Sequence, residues 1–595
     1  MSFLETRVDL PVSQRVLYTL FTLTFLVFPF YYQDNLGGEG MSLPFNAVIW
    51  FGVLATIGTA VFQIIRTGEW IKTRYLGVLS LFPIGIVASG FISGMERPGE
   101  WLVRLGVIVG GMLFWWALLQ FRLKRRDLEN LLYLLLASML LHGMVGLMQI
   151  VPEPLLKGWI PVAPDSKFLG MFQQPNLQAS LMATAAMLAL YLASVPSFSK
   201  QRWPMKVLVG LTLFISVLEV VGSGSRAGLL GMSIGLLLFL LSRWRLMVRR
   251  PLVSAMLLLA IVAGGVSGTR ISDGALHAYS KVERMAEEGA DVRPHIYRIS
   301  FDVFRSAPLF GHGIGSFQRT FQDQRIIYET ENGVTPVAPA PRFSHPHNEL
   351  LFWMDEGGLV ALGAILLGGL AVLLQLNSLG WQRAGIFAGM LVPIALHTQV
   401  ELPFYISTLH WLVMLVILAL VFFPGTQRRR LKLSRSAKQL LVGVAFIIVP
   451  LASVFLSHSL LAQTGIMQYL KGRGSQPAHL NYALNNLYFR ETGEYFTMRA
   501  LMYSELHAAR TDNLSLFTEW ADSFLEQIPD IQVFQDLAIA LQQLGRNDEA
   551  LAVIERAHAI YPGQKQVAEV RTRLLAGEQL FKPSGAQSSR SVESN

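Results

Sequence analysis

Apolar stretches of roughly 17–25 residues, separated by short polar connections, recur along the chain as far as Pro450 and then stop. About thirteen stand near 14–32, 45–65, 75–93, 103–121, 129–151, 177–195, 206–222, 227–242, 251–267, 350–376, 384–400, 408–424 and 439–457. Each can cross ~30 Å of hydrocarbon as a helix. The pattern predicts an all-α polytopic membrane protein with about thirteen transmembrane helices. No small-residue cleavage site follows the first stretch, so it reads as a span and not as a signal peptide. Three segments interrupt the apolar pattern: 152–176, a large loop at about 268–349, and everything after Ser457.

Composition agrees. With 52% apolar and 15% charged side chains over 595 residues, the chain is too oily for a soluble protein of this length. Basic residues gather in alternate connections: Arg66/Lys72/Arg74, Arg122/Lys124/Arg125/Arg126, Lys200/Arg202/Lys206, Arg243/Arg245/Arg249/Arg250 and Arg428/Arg429/Arg430/Lys432/Arg435/Lys438. Lys and Arg resist translocation, so this side is expected to be cytoplasmic, with the N-terminus inside and the C-terminal region outside. The net charge of +9 is largely these loops. No basic stripe interleaved with aromatics points to nucleic acid. Zero cysteines exclude disulfides and thiolate metal sites.

Within the large loop, Ile296, Ile299, Val303 and Phe304 recur at helical spacing until Pro308 and the glycines 311, 313 and 315 end the pattern. Arg293 and Arg298 flank the start of that helix. In the tail, Phe534, Leu537, Gly545, Ala550, Ala557 and Pro562 stand at the large, small, turn and terminating positions of a tetratricopeptide unit, with a weaker helical stretch ending at Pro529 one period upstream. Two such units are too few for a stable solenoid alone and are expected to pack on the membrane domain or a partner. The expected organisation is a membrane catalytic domain at 1–457, a helical tetratricopeptide-like domain at 458–582 and a disordered end at 583–595.

Several polar groups stand at the ends of spans. FSHPHNELLFWMDEGG, from Phe343 to Gly358, sets His345, His347 and Asn348 just before an apolar helix, and a neutral imidazole can accept a proton from a hydroxyl near neutral pH. His347 could alternatively cap that helix with Asn348. Asp355 and Glu356 could orient His347 or mark the water boundary. The H-x-H spacing admits a metal, but no third histidine or clear carboxylate companion stands in the loop, and no metal is expected. Arg226 lies in GSGSRAGLL, a short turn between two spans; it can hold a phosphate bidentately or snorkel at a helix end. GMFQQPN, Gly170 to Asn176, contains Gln174 and Asn176. Its amides could bind sugar hydroxyls, or the segment could simply be a helix N-terminus with Pro175 near the first turn and Asn176 as a local cap. HTQVELPFY places His397, Gln399 and Glu401 at the end of a span, where ionisable groups are costly. His142, alone in the fifth span, reads as a satisfied packing residue.

Taken in order, GMFQQPN, GSGSRAG, R-x14-P-L-F-G-x-G (Arg293 to Gly313), HPHNELLFWMDEGG and HTQVELPFY resemble the bacterial O-antigen ligase/polymerase superfamily, and within it the PglL-type protein O-oligosaccharyltransferases. The resemblance covers about Asp165 to Tyr405 and lies in the combination. The ligase spacing of His, amide, nine residues and Gly is met by His347, Asn348 and Gly358, whereas Ala361, three places later, departs from the pattern of the lipopolysaccharide ligase branch. The resemblance implies a metal- and cofactor-independent glycosyltransferase of the bacterial inner membrane, its active site periplasmic. The donor it implies is an oligosaccharide on undecaprenyl pyrophosphate, and the acceptor a Ser or Thr hydroxyl of a protein such as pilin. It makes His347 the general base and Arg226 and Arg293 the pyrophosphate ligands. Gln174, Asn176, Arg298, His345, Asn348, Glu356, His397 and Glu401 are supporting candidates. An O-antigen ligase or polysaccharide polymerase would use the same donor and set. A lipid-linked glycan transporter or scaffold would instead show paired half-chain repeats, and the sequence has none.

Overall fold

A computed structural model describes residues 12–121, 123–150, 158–162, 168–272, 292–332 and 342–581. The proline cluster Pro336, Pro339 and Pro341 and the end at 583–595 lie outside the described residues. Among the described residues the α-helices longer than one turn are, in chain order, α1 (Val12–Thr22), α2 (Pro44–Thr67), α3 (Leu76–Ser93), α4 (Pro98–Gln120), α5 (Arg125–Gln149), α6 (Pro175–Ser194), α7 (Trp203–Gly222), α8 (Arg226–Val248), α9 (Pro251–Ile271), α10 (Arg293–Ser306), α11 (Phe317–Asn332), α12 (Glu349–Ser378), α13 (Trp381–His397), α14 (Thr408–Phe422), α15 (Arg435–Lys471), α16 (Arg490–His507), α17 (Leu514–Gln527), α18 (Ile531–Gln543), α19 (Asn547–Ile560) and α20 (Lys565–Leu575). The chain is an all-α polytopic membrane protein.

The thirteen expected spans divide into eleven full-length and two shorter helices among the described residues. Eleven, α2–α9, α12, α14 and α15, are long and apolar enough to cross a membrane. The first expected span is a shorter apolar helix, Gln14–Phe30, which passes from α through π to 3-10 geometry at Phe28–Phe30. Pro29, lacking an amide hydrogen, cannot carry the α pattern further. The other is α13, of 17 residues.

The chain folds as two compact units, one of residues 1–84, 103–290 and 364–460, the other of 85–102, 291–363 and 461–595. In the first, α6 is the core helix: every residue from Leu177 to Leu190 is buried. Its Ala, Ser and Thr positions let neighbours approach closely, as small residues do between membrane helices. Gly228 of α8 lies so near α6 that a Cβ there would come 2.7 Å from that of Ala179, and Gly231 similarly meets Pro393 of α13. In contrast, α15 is largely bare, with Leu440, Phe446, Ile447, Leu451 and Val454 each at least 65% exposed. A contiguous apolar surface of this kind matches a lipid-facing helix.

The basic connections meet at one end of this unit. Glu69–Thr73 pairs antiparallel with Thr426–Arg430. Gln120 braces that ribbon, accepting from the Ile71 amide at 2.8 Å and donating to the Ile71 carbonyl at 2.9 Å. The Ser197 hydroxyl donates to Glu129 at 2.6 Å, Arg250 donates to the Val195 carbonyl at 3.2 Å, and Trp381 donates to the Leu241 carbonyl at 3.3 Å. This clustering is what alternation of basic and non-basic connections requires.

In the second unit the tail helices α16–α20 build a core in which Phe534, Leu537, Ala550 and Ala557 are fully buried, and Gly545, at φ 75, turns the chain between α18 and α19. The tail does not stand alone. Helix α11 of the large loop packs against α17 and α19, with Ile326 on the core and Arg325 5.9 Å over the Tyr561 ring. Arg325 is buried and paired with Glu329 at 3.1 Å.

Candidate active site

The first unit gathers its candidates where α6 and α8 begin and α13 ends. Residues 168–174 reach α6 through two glutamines. Gln149, at the end of α5, donates to the carbonyls of Pro161 and Gly170, both at 3.0 Å, and accepts from the amides of Leu169 at 3.0 Å and Gly170 at 2.7 Å. Gln178 donates to the His142 carbonyl at 3.0 Å and to a Glu219 carboxylate oxygen at 2.6 Å. Gly170 takes a left-handed φ of 60 beside Gln178, and a Cβ there would fall 2.0 Å from the Gln178 Oε1. Pro175 then opens α6 at a position where its missing amide hydrogen costs nothing. Asn176 is not the cap: Gln174 holds that position without a side-chain bond, and its Oε1 is buried with no hydrogen-bond partner among the described residues. Replacing Gln149 with leucine strands buried amides and carbonyls of this loop, each worth ~1–3 kcal/mol; thermal unfolding in detergent is expected to occur at a clearly lower temperature than for the unsubstituted protein.

Arg226 is the first residue of α8, half-buried, and the preceding Ser225 caps the helix by accepting from the Gly228 amide at 3.2 Å. On the same helix group, His397 is fully buried with Nδ1 2.8 Å from the Ser180 hydroxyl, while its Nε2 has no hydrogen-bond partner among the described residues. Glu401 follows one turn on, its amide donating to the His397 carbonyl at 3.0 Å, and is 8% exposed. Gln174, Asn176, Arg226, His397 and Glu401 thus belong to one end of α6, α8 and α13. His142 packs as expected, stacked between Phe30 and Phe172 at 4.4 and 5.1 Å, but it is not satisfied: neither ring nitrogen has a hydrogen-bond partner among the described residues.

The second unit holds the histidine loop. His347 adopts a left-handed backbone, φ 56, uncommon for a residue with a side chain. Its amide donates to His345 Nδ1 at 3.1 Å, and the two rings meet edge to face 4.5 Å apart. The His345 Nδ1 lone pair is therefore engaged in shaping the loop. Asn348 performs the capping, its Oδ1 accepting from the amides of Leu350 and Leu351 at 2.9 and 3.1 Å. His347 is the turn residue beside the cap and carries no capping bond of its own to those amides. Phe343, packed on Phe321, anchors the other side of the loop.

The glycine spacing of this region has a backbone explanation. Residues 308–313 lie against 355–360. The amides of His312 and Gly313 donate to the carbonyls of Asp355 and Glu356, both at 3.0 Å, and those of Leu359 and Val360 donate to Pro308 and Leu309 at 2.8 and 3.1 Å. Gly358 interrupts α12 at φ 61, ψ −159, and a Cβ there would lie 2.5 Å from the Gly311 amide nitrogen. Gly311, at φ 70, would place its own Cβ 2.4 Å from the Glu356 backbone. Glu356 itself is fully buried and accepts from the Phe317 amide at 3.4 Å, which ties α12 to α11. Helix α10 forms over Arg293–Ser306 with Ile296, Ile299 and Val303 buried, as their spacing predicts. Arg293 is its first residue. Arg298 points away from that buried stripe, 61% exposed and paired with Asp302 at 3.4 Å, an arrangement of a surface ion pair.

Sequence reading missed Gln149, Gln178, Glu219 and His410. Glu219 lies buried in α7 beside Gly143 and Gly146, and His410 bonds the Leu177 carbonyl at 3.0 Å and the Ser407 hydroxyl at 2.8 Å. The signal was there: each is a polar group inside or at the edge of an apolar run, where it must find a partner or a function.

The spans define a multi-pass membrane protein, with candidate polar groups at one end of α6, α8 and α13 in the first unit and a histidine loop beside a capped helix in the second. Residues 211–367, which include Arg226, Arg293 and His347, match the O-antigen ligase family; residues 386–574 match the family described as virulence factor membrane-bound polymerase, C-terminal. Both matches are consistent with the O-antigen ligase superfamily. No curated protein matches the chain. The function class these family matches suggest is glycan transfer of the ligase and polymerase type, and they are consistent with a lipid-linked donor.

Proposed function

We propose that this chain is an O-linked oligosaccharyltransferase of the bacterial inner membrane, moving a glycan en bloc from undecaprenyl pyrophosphate to Ser or Thr hydroxyls of a periplasmic or pilin protein. The observation that carries the reading is the His347 backbone: a strained left-handed position, beside a cap that Asn348 already supplies, within the matched ligase region. Strain of this kind is retained where it positions chemistry. The order GMFQQPN to HTQVELPFY favours a protein acceptor.

In this mechanism the acceptor oxygen attacks the anomeric carbon while His347 accepts its proton. The bond from that carbon to the pyrophosphate oxygen breaks, and undecaprenyl pyrophosphate leaves with the electron pair. One displacement inverts the anomeric carbon. Arg226 and Arg293 hold the pyrophosphate and stabilise the charge that grows on it, and no metal is needed because the leaving group is already good. Gln174 Oε1 and His397 Nε2, buried with no hydrogen-bond partner among the described residues, suit hydroxyls of donor or acceptor, and Glu401, Asn176, His345 and Glu356 are supporting candidates. Arg298, paired at the surface, ranks below them.

Arg226→Lys keeps the charge and loses the fork that a diphosphate takes bidentately. A lost hydrogen bond to a charged group is worth ~1.5–3 kcal/mol, so kcat/KM for the donor is expected to fall roughly 10–100-fold, and further in Arg226→Ala. Donor titration at saturating acceptor measures this. The acceptor class is tested by deleting the chain from its host. Loss of protein O-glycosylation with surface polysaccharide intact supports the proposal, whereas loss of long-chain polysaccharide with glycoproteins untouched assigns a ligase or polymerase.

A further inference from the structure

The second unit contains a cavity of about 610 Å³ that the transfer chemistry does not use, lined by Arg342, Tyr495, Arg499, Asp530, Gln532, Tyr561 and neighbouring side chains of the tail. That volume lies in the range of small-molecule sites, roughly 300–1,000 Å³. Its charges are already paired. Arg499 donates to Asp536 at 2.5 Å and to the Tyr495 hydroxyl at 3.1 Å, and Arg342 lies 3.6 Å from Asp530. Asp530 also caps α18, accepting from the amides of Gln532 and Val533 at 3.0 and 3.1 Å. An anionic ligand would have to compete with Asp530 and Asp536 for both guanidinium groups, and a cation with both arginines for the carboxylates. What remains is a small apolar patch of the partly exposed Tyr495 with Pro529 and Ile531, and planar amides from Gln564, Gln566 and Gln532 around it, the last already donating to Asp536 at 3.3 Å; the Tyr561 ring is buried in the tail core behind them. Tyr561 is held in place, its hydroxyl donating to the Pro529 carbonyl under the Arg325 guanidinium.

We propose that this cavity is a glycan-binding site, taking an uncharged sugar unit of the transferred oligosaccharide with an apolar sugar face on Tyr495 and vicinal hydroxyls on the glutamine and guanidinium groups. It is separate from the residues assigned to bond making, and it rests on the reading of the chain as a glycan transferase. A neutral, hydroxyl-rich ligand with one apolar face is the chemistry that paired charges, aromatic side chains and amides leave to be satisfied. Such a site would hold the glycan while the reducing end reacts, so it should lower KM for the lipid-linked donor and leave turnover at saturation unchanged.

The absence of cysteine in this chain allows a probe confined to the cavity. Full-length protein carrying Gln566→Cys, an exposed position at the cavity, is labelled with a trifluoromethyl tag and titrated with the oligosaccharide released by mild acid from the host's lipid-linked glycan. A saturable fluorine shift is expected, weakened at least tenfold by Arg342→Ala, which is exposed and leaves the core alone, and by Tyr495→Leu, which keeps apolar volume and removes the aromatic ring. Both variants should raise KM for the donor severalfold with kcat preserved. No shift in a preparation that transfers glycan overturns the site, as does a shift that both variants leave unchanged. A shift with unmodified pilin but not with free glycan overturns it in favour of a peptide groove. If the preparation transfers no glycan yet the label shifts, the transferase reading fails and the binding site stands.

Discussion

His347→Asn is expected to lose glycan transfer by ~10²–10⁴-fold, the usual worth of a positioned general base, while the protein remains folded. Asparagine is the informative substitution. His347 has φ 56, a conformation that asparagine tolerates and alanine disfavours by ~1–2 kcal/mol. His347→Ala mixes loss of the imidazole with relief or transfer of backbone strain; His347→Asn and His347→Gly remove the base and keep the loop. If all three variants are equally inactive and melt near the parent, the imidazole is what activity needs. Recovery of activity in the asparagine or glycine variant would reduce His347 to a turn residue. Single-turnover transfer with purified protein, read beside thermal unfolding, separates these outcomes.

The second large effect is structural. Gly311→Val is expected to destabilise the second unit by roughly 2–5 kcal/mol, combining left-handed strain with overpacking of a closed backbone contact. The Cβ would sit 2.4 Å from the Glu356 backbone, and backbone cannot rotate aside as a flexible side chain can. Because Glu356 and Gly358 lie on the helix that Asn348 caps, loosening the contact between 308–313 and 355–360 should also disorder the His347 loop and abolish transfer. Gly363→Ala, on the same helix with open space around it, should leave both stability and activity near the parent. Equal stability of Gly311→Val and the parent would show that the contact is not a constraint.

These two sites show what a linear reading reaches and what it does not. Spans were legible because apolar length alone defines them, and the basic connections meet at one end as their alternation demanded. Helix α10 followed from local spacing, and of the two capping candidates, His347 and Asn348, it is Asn348 that bonds the helix amides. The role of Gly311 and Gly358 did not, because a glycine needed for a backbone approach 47 residues along the chain looks the same as one that ends a helix. Gln149 escaped for a similar reason: its four partners come from residues 161 to 170, brought back to the end of α5 by tertiary structure. The partner surface of the tail was not legible in sequence: α11 from the large loop adds Ile326 and the Arg325–Tyr561 contact to its core. Asn176 looked like a cap from its residue type, but Pro175 fixes the first turn one position earlier and leaves Gln174 as the cap.

The most direct test is reconstitution. Purified full-length protein in lipid, undecaprenyl-pyrophosphate-linked glycan and unmodified pilin are combined without nucleotide sugar and with a chelator present, and the pilin is analysed by intact mass. The proposal predicts a mass increment equal to the whole glycan on a Ser or Thr, formed by the parent and absent with His347→Asn. Unmodified pilin alongside elongated polysaccharide or glycosylated lipid A core would contradict a protein acceptor, and absence of transfer to any of the three would contradict glycan transfer itself.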